Sequence, residues 1–575
     1  MKNQFHKSAL KTKIVCLLVS FLIAFPVLAG DATIPGEVTT PYPTIINLAV
    51  EWAIEGDDNL NATCQVKFRE VGTAAWRDGM PLRRIPAGES IGTKPIFTWT
   101  NRLSGSIFDL KPDTEYEIQL SLKDPDGGAA DKTVKVRTRP VPKAPSNAPT
   151  RNLDPSTIHN ARPGEIALLA DGDYGVFEPK NDGEPGKPIV YRAAGKAAKF
   201  TQISLAGRKH IYLEGLVVQT DTVNARKNHQ TAVKMIGAED CVVRYCNISG
   251  VYGVRASSKP GAKNCYIADN VIIGITPWTN EAMGAGGQNI GEGIEITGPG
   301  NVICYNYVSS FRDCISFMED TWTGEQYCID VYNNDINIGS DDAIEADFAM
   351  SNCRIMRNRI VNSFVGLSSQ PSLGGPTYFI GNVLYNLTYA PFKLHRHSHG
   401  DVVLHNTVVK VGDAMVCFAP FNNAFFRNNL CIGGPPGEKR WGGYGGGTGN
   451  AVNIQKGVNN TFDYDAVGVW NLPFKGKIGD QSFNSIEEMR QGPQETHGIE
   501  VTMDVFNNVA FPDNPESLYA HPDLRPKANS VVVGAGVLIP NVNDRFKGKA
   551  PTIGAYEPGD QLPLYGPRPQ GVDEK

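Results

Sequence analysis

Four carboxylates fall within seven residues, at Asp341, Asp342, Glu345 and Asp347. Further along comes the run Lys393-Leu394-His395-Arg396-His397-Ser398-His399. Acids packed so closely repel one another unless a cation binds among them or protons are shared. A lysine and several histidines near such a cluster supply the groups that general acid–base chemistry needs. On an extended strand Glu345 and Asp347 would lie about 7 Å apart, at the lower end of the separation used by an inverting glycosidase. His395, His397 and His399 alternate, so on a strand they would share one face and could ligate a transition metal. Two tryptophans, Trp278 and Trp322, sit in segments longer than their surroundings, where an aromatic face can stack on a sugar ring.

These residues belong to a repeat. Between residues 241 and 430 one short unit recurs eight times: a small polar residue or Cys, an apolar run, then Asn five positions on, with Cys in the Asn place only in the first. The central positions are Cys246, Asn270, Asn306, Asn333, Asn358, Asn382, Asn406 and Asn428, spaced by 24, 36, 27, 25, 24, 24 and 22 residues. Such a period, built of short β-rich stretches, is that of a solenoid whose coils bury apolar side chains only by stacking. Asn at one turn of each coil can form an amide ladder and tolerates a left-handed backbone. The expected fold is all-β, a parallel β-helix. A second strand precedes each unit, as in Ile294-Glu295-Ile296-Thr297 and Ile344-Glu345-Ala346-Asp347. Alternation turns Lys234, Arg255, Glu295, Ser316, Glu345, Ser368 and Lys393 outward in one column. Thr297, Met318, Asp347, Gln370 and His395 stand beside it.

The flanking segments differ. Lys2, Lys7, Lys11 and Lys13 precede an apolar stretch, Ile14 to Leu28, that ends at Ala29, the pattern of a signal peptide over 1–29. The mature chain is therefore expected to be secreted or periplasmic, and no later run is long enough to span a membrane. A net charge of −5 excludes the basic excess of a nucleic-acid binder. The cysteines carry no CxxC pair, and most sit at interior positions of the repeat, so buried free thiols are expected. Residues 34–140 alternate in short strands separated by Gly-, Asp- and Pro-rich turns, as a β-sandwich does. Prolines at 140, 142, 145 and 149 mark a linker over 141–156. The solenoid is expected over 157–432, and 433–575 is expected to continue and cap it, with 550–557 as a closing strand.

Two resemblances add to this. Leu110-x-Pro112-x-Thr114-x-Tyr116, with Trp52, resembles the tyrosine-corner segment and core Trp of fibronectin type III domains. Pro163 to Tyr174 resembles the first coil of pectate-lyase-like right-handed β-helix enzymes, nearest to the chondroitinase B and alginate lyase family. That resemblance implies an acid-x-acid pair binding calcium, here Glu345 and Asp347 with Asp342 beside them. It also implies a Lys a few residues later as the base, but Asn352 stands five residues beyond Asp347. Lys393, His395 and Arg396 are then the candidates for proton transfer. Trp278, Trp322, Arg255, Gln370 and His397 are the candidate substrate contacts. The expected function is a monomeric, exported carbohydrate-active enzyme that cleaves a uronate polysaccharide by β-elimination. A glycoside hydrolase using the paired carboxylates, and a non-catalytic glycan-binding solenoid, are the alternatives. Asp341-Asp342 resembles the paired Asp of polygalacturonase-like hydrolases, whose other motifs this chain lacks.

Overall fold

The computed structural model describes residues 30–572 except 224–225, 228, 437–440 and 442. The signal-peptide segment lies outside the described residues.

Short alternating strands with one apolar face can be stabilised only by packing that face. In the N-terminal part seven antiparallel strands do so. Their spatial order is Thr33–Thr39, Leu48–Gly56, Arg102–Ile107, Arg77–Ile85, Thr63–Glu70, Glu115–Lys123, Ala129–Arg137. They fold over one core that includes Val50, Trp52, Val66, Phe68, Ile118 and Leu120. The Lys111 N–H donates to the Tyr116 hydroxyl at 2.9 Å, tying the turn before Glu115–Lys123 to that strand.

The remainder is a parallel β-helix. One sheet has 13 strands and a second has 19, and every neighbouring pair from Thr150–Leu153 to Thr461–Asp463 in the first is parallel. The inward residues Ile294, Ile315, Ile344, Leu367 and Phe392 are fully buried in one core running the length of the stack. The first strand starts at Thr150 and pairs with Ile166–Leu169, so the linker expected over 141–156 ends earlier, and the solenoid starts before 157. Proline density had hidden a strand that has no proline of its own.

The amide ladder is present with a corrected register. Asn270, Asn306, Asn334, Asn358, Asn382, Asn406 and Asn429 each pass a side-chain N–H to the next Oδ1 at 2.9–3.0 Å, ending on Asp465. Asn333 and Asn428 are not rungs. They take the left-handed backbone, at φ 54° and 61°, one residue before the rung. Tyr245, Asp269, Tyr305, Arg357 and His405 do the same in other coils. Ladder and turn therefore fall on adjacent residues, and an Asn-Asn pair supplies one Asn to each.

All ten described cysteines are free and buried. Phe474, Phe483, Ile486 and Met489 close the C-terminal end of the core. The tail beyond them is no simple cap. Phe506 and Phe511 pack on the outer face near Tyr385 and Ile432. The Gly554 N–H then donates to the Asn428 carbonyl at 2.8 Å, and Arg568 reaches back to Asp269. Residues 550–557, expected as a closing strand, form no strand; this segment lies across the flank. No helix among the described residues is long and apolar enough to cross a membrane.

Candidate functional site

Strand register brings the outward column together step by step. Lys234 pairs with Arg255, Arg255 with Glu295, Glu295 with Ser316, Ser316 with Glu345, Glu345 with Ser368, and Ser368 with Lys393. Although these residues point away from the solenoid core, the lower half of the column is enclosed. Ser368 and Asp347 are fully buried and Glu345 is 7% exposed. One wall is the insertion after Ile273, where the Gly284 N–H donates to the Ser340 carbonyl at 2.7 Å. The other is the 319–326 loop, where Gln326 Nε2 donates to the Asp347 carbonyl at 2.9 Å.

Lys393 is the centre of the arrangement. Its Nζ donates to Asp342 Oδ2 and lies 3.7 Å from Glu345 Oε1. Asp347 Oδ1 accepts from Ser368 Oγ at 2.6 Å and from the Gln370 N–H at 2.7 Å. Asp313 Oδ1 accepts from the Asp342 N–H at 2.8 Å. Arg312 stands 3.4 Å from both Asp313 and Asp341. Two overlapping sets of three carboxylates share Glu345: Asp313, Asp342, Glu345 and Glu319, Glu345, Asp347. In each set the oxygens lie within 4.8 Å of one another.

Burial, followed by mutual repulsion, raises the affinity of these acids for protons. The Glu345 carboxyl is pushed well above the usual range by burial and then by Asp313 and Asp347. Burial lifts Asp347 to about 8, and Asp341 and Glu292 are also raised. For Lys393 burial acts to strip the proton, but Asp342, Asp347 and Glu345 outweigh it and hold the ammonium. Burial and then Lys393 push His395 down to about 4, so its ring is neutral at neutral pH.

The donor set fits a hard divalent cation. Every candidate ligand is a carboxylate oxygen, the chemistry that suits calcium or magnesium rather than a thiophilic metal. Asp342 Oδ1 and Asp347 Oδ2, one from each set, are buried with no hydrogen-bond partner among the described residues. A buried carboxylate oxygen left unpaired is costly, and a cation held by either set would satisfy the one that belongs to it.

Other residues chosen from the sequence fall differently. Arg396 lies near Glu319 at 3.8 Å and Asp320 at 3.4 Å, on the rim. Gln370 reaches Asp347 through its backbone. Trp322 is 58% exposed at the tip of its loop. Trp278 is not a sugar platform: it is buried with Met283, Phe364 and Trp441, and its Nε1 donates to the Pro515 carbonyl at 3.0 Å. Arg255 is committed to Glu295 and lies over the Tyr252 ring, up the column from Lys393. The three histidines do not converge. The strand ends at Leu394, and Arg396 and His397 turn left-handed, which leaves His397 exposed. His399 begins a strand of the other sheet, against Trp99.

Asp313, Glu319 and Arg312 had escaped the sequence reading. A signal for Asp313 exists: Glu292, Asp313 and Asp342 each stand three residues before an outward residue of the column, Glu295, Ser316 and Glu345. The corner of the coil at Arg312 breaks alternation there, so the period of two hides it.

No family model matches the chain, and no curated protein matches it. Among solved structures it is similar to pectate lyase Pel9A, at 14% identity over 72% of this chain and 98% of that one, with a TM-score of 0.34. It is also similar to a Yersinia enterocolitica family 28 exopolygalacturonase, at 11% identity over 77% and 98%, with a TM-score of 0.29. Likeness at this level transfers neither reaction to this chain.

Proposed function

We propose that the protein is an exported enzyme that cleaves a uronate-containing polysaccharide by β-elimination, with Lys393 as its proton acceptor. The observation that carries this reading is the Lys393 ammonium held among carboxylates that include two unpartnered buried oxygens. Glu345 with Asp313 and Asp342, or with Glu319 and Asp347, would hold calcium. Bound there, the cation neutralises the uronate carboxylate and acidifies the adjacent C–H. Asp342 and Glu345, which now hold the Lys393 ammonium, would then be ligands of the cation; Nζ, no longer held by them, would give its extra proton to solvent and, as a neutral amine, take the proton from that carbon. The C–H electron pair forms the new double bond as the bond to the leaving glycosidic oxygen breaks. That oxygen takes a proton from water; His395, whose ring is neutral, has Nε2 without a hydrogen-bond partner among the described residues and can orient that water. Arg396 and Trp322 at the rim contact the chain, and the N-terminal sandwich is read as fibronectin type III-like.

One observation favours a second reading, hydrolysis. Asp347, lifted to about 8 by burial, keeps its proton at neutral pH as a general acid must.

The test follows reducing ends and the ultraviolet absorbance of an unsaturated sugar together. The substrates are polygalacturonate, alginate, chondroitin and dermatan sulfate, each with calcium or with chelator. Both signals rising on one polymer, only with calcium, is the expected result. Reducing ends without absorbance would replace elimination by hydrolysis. Silence in both channels would reject the enzyme reading.

A further inference from the structure

A cavity of about 700 Å³ lies where the N-terminal sandwich meets the turns of the solenoid. Tyr42 and Phe97 line it from the sandwich; Lys209, Lys259, Lys263 and Glu325 line it from the turns. Those turns are the exits of the strands that carry the candidate site. Gly261 follows Tyr252–Ala256, Pro299 follows Glu292–Ile296, and Glu325 follows Asp313–Phe317. The cavity therefore lies around the corner of the coil from the outward columns.

Two ring contacts and one loop join it to the site. Phe97 packs edge-on against Phe348, with centroids 5.5 Å apart, and Phe348 follows Asp347 in the chain. The Arg396 guanidinium lies 5.8 Å from the same ring. The 319–326 loop has Glu319 among the site carboxylates and Glu325 in the cavity wall, with the exposed Trp322 between them.

The lining suits an anionic sugar chain. Lys209 and Lys263 share Glu239, at 2.7 and 3.3 Å, and Lys259 has no acidic partner among the described residues. Glu325 accepts a hydrogen bond from the Tyr42 hydroxyl at 3.1 Å, and Tyr42 is stacked on Tyr327 with centroids 6.2 Å apart. Three lysines against two glutamates leave the cavity positive in a chain whose net charge is −5. Aromatic rings with polar tips beside lysines are what a polyhydroxylated, carboxylated ligand requires.

We propose that this cavity is a distal subsite for the same acidic polysaccharide, so that the sandwich forms part of the substrate cleft. The inference rests on the reading of the site as one that acts on a uronate polymer. A chain engaged at Lys393 continues over Trp322 into the space between Tyr42 and Lys259.

The test uses the full chain with calcium and compares Lys259→Glu, Lys259→Arg and Tyr42→Ala with the unmodified protein. Substrates are polygalacturonate, alginate, chondroitin and dermatan sulfate, and short oligomers of each too small to span both places. Lys259→Glu and Tyr42→Ala should raise KM on the polymer by about three- to tenfold, with kcat unchanged. On the oligomers neither should change anything, Lys259→Arg should behave as the unmodified protein, and the Lys259 variants should keep its melting temperature. Equal effects on long and short substrates, or none on either, would overturn the subsite and leave the site reading intact. An unmodified protein silent on all four polymers would overturn both.

Discussion

Lys393 and Glu345 stand two coils apart in one column, with Lys393 Nζ 3.7 Å from Glu345 Oε1 and Ser368 between them in the register. Lysine and acid are 48 positions apart in the chain, yet only stacking is needed to bring them together. This geometry sets the first prediction. Lys393→Ala should lower turnover by about 100- to 10,000-fold, the usual worth of a proton-transfer group. Glu345→Gln, which removes the ligand shared by both carboxylate sets, should also lower turnover strongly. A variant of either kind that keeps full turnover would remove that residue from the chemistry.

The carboxylates should respond to calcium by themselves. At a hundred times its Kd the ion should add about 2.7 kcal/mol to stability, seen as a rise in melting temperature. Asp342→Asn should remove most of that rise, because it takes a ligand from the set containing Asp313 and Glu345. Equal rises in the unmodified protein and the variant would place the ion elsewhere.

The two tryptophans should separate cleanly. Trp278 is buried among Met283, Phe364, Val365 and Trp441, so Trp278→Ala should cost about 3–5 kcal/mol. Trp322→Ala should leave the melting temperature unchanged and raise KM. Denaturant titration and steady-state kinetics on the two variants check both halves.

The ladder offers an equally sharp pair. Asn334 passes its side-chain N–H to Asn358 at 3.0 Å and accepts from Asn306, so Asn334→Ala strands buried partners on both sides and should cost about 2–5 kcal/mol. Asn333 holds the left-handed turn with φ 54°, a conformation glycine adopts freely. Asn333→Gly loses only its hydrogen bond to the Leu564 carbonyl and should cost about 1 kcal/mol. Urea unfolding of the two variants measures the difference.

Acid should loosen the tail at His405. The Nδ1–H donates to the Gly554 carbonyl at 3.0 Å, and Nε2 accepts from Asn428 and Asn543 at 3.0 and 2.7 Å. Burial pushes this histidine down to about 4 from a usual 6.5. The unfolded chain therefore binds more protons between those values, and stability falls as pH drops from 6.5 towards 4, by about 3 kcal/mol. His405→Gln should flatten that part of the stability–pH curve, and an unchanged slope would locate the loss elsewhere.

The period of the Asn units determined the parallel β-helix, because a coil that cannot bury its own apolar residues must stack. The alternation of each strand determined the outward column from Lys234 to Lys393, because neighbouring coils in a parallel sheet repeat the same parity. Chain order could not tell the rung from the turn at Asn333–Asn334, since both positions favour Asn for different reasons. Nor could it show that Trp278 is roofed by Pro515, that His397 turns away, or that Asp313 and Glu319 complete the carboxylates around Glu345. Those outcomes depend on where coil corners break the period of two and on which distant segments lie against the stack. The sandwich pressed against the solenoid turns, and the tail returning along its flank, are likewise contacts between segments hundreds of residues apart. Local propensity records the strand; only packing decides what is laid over it.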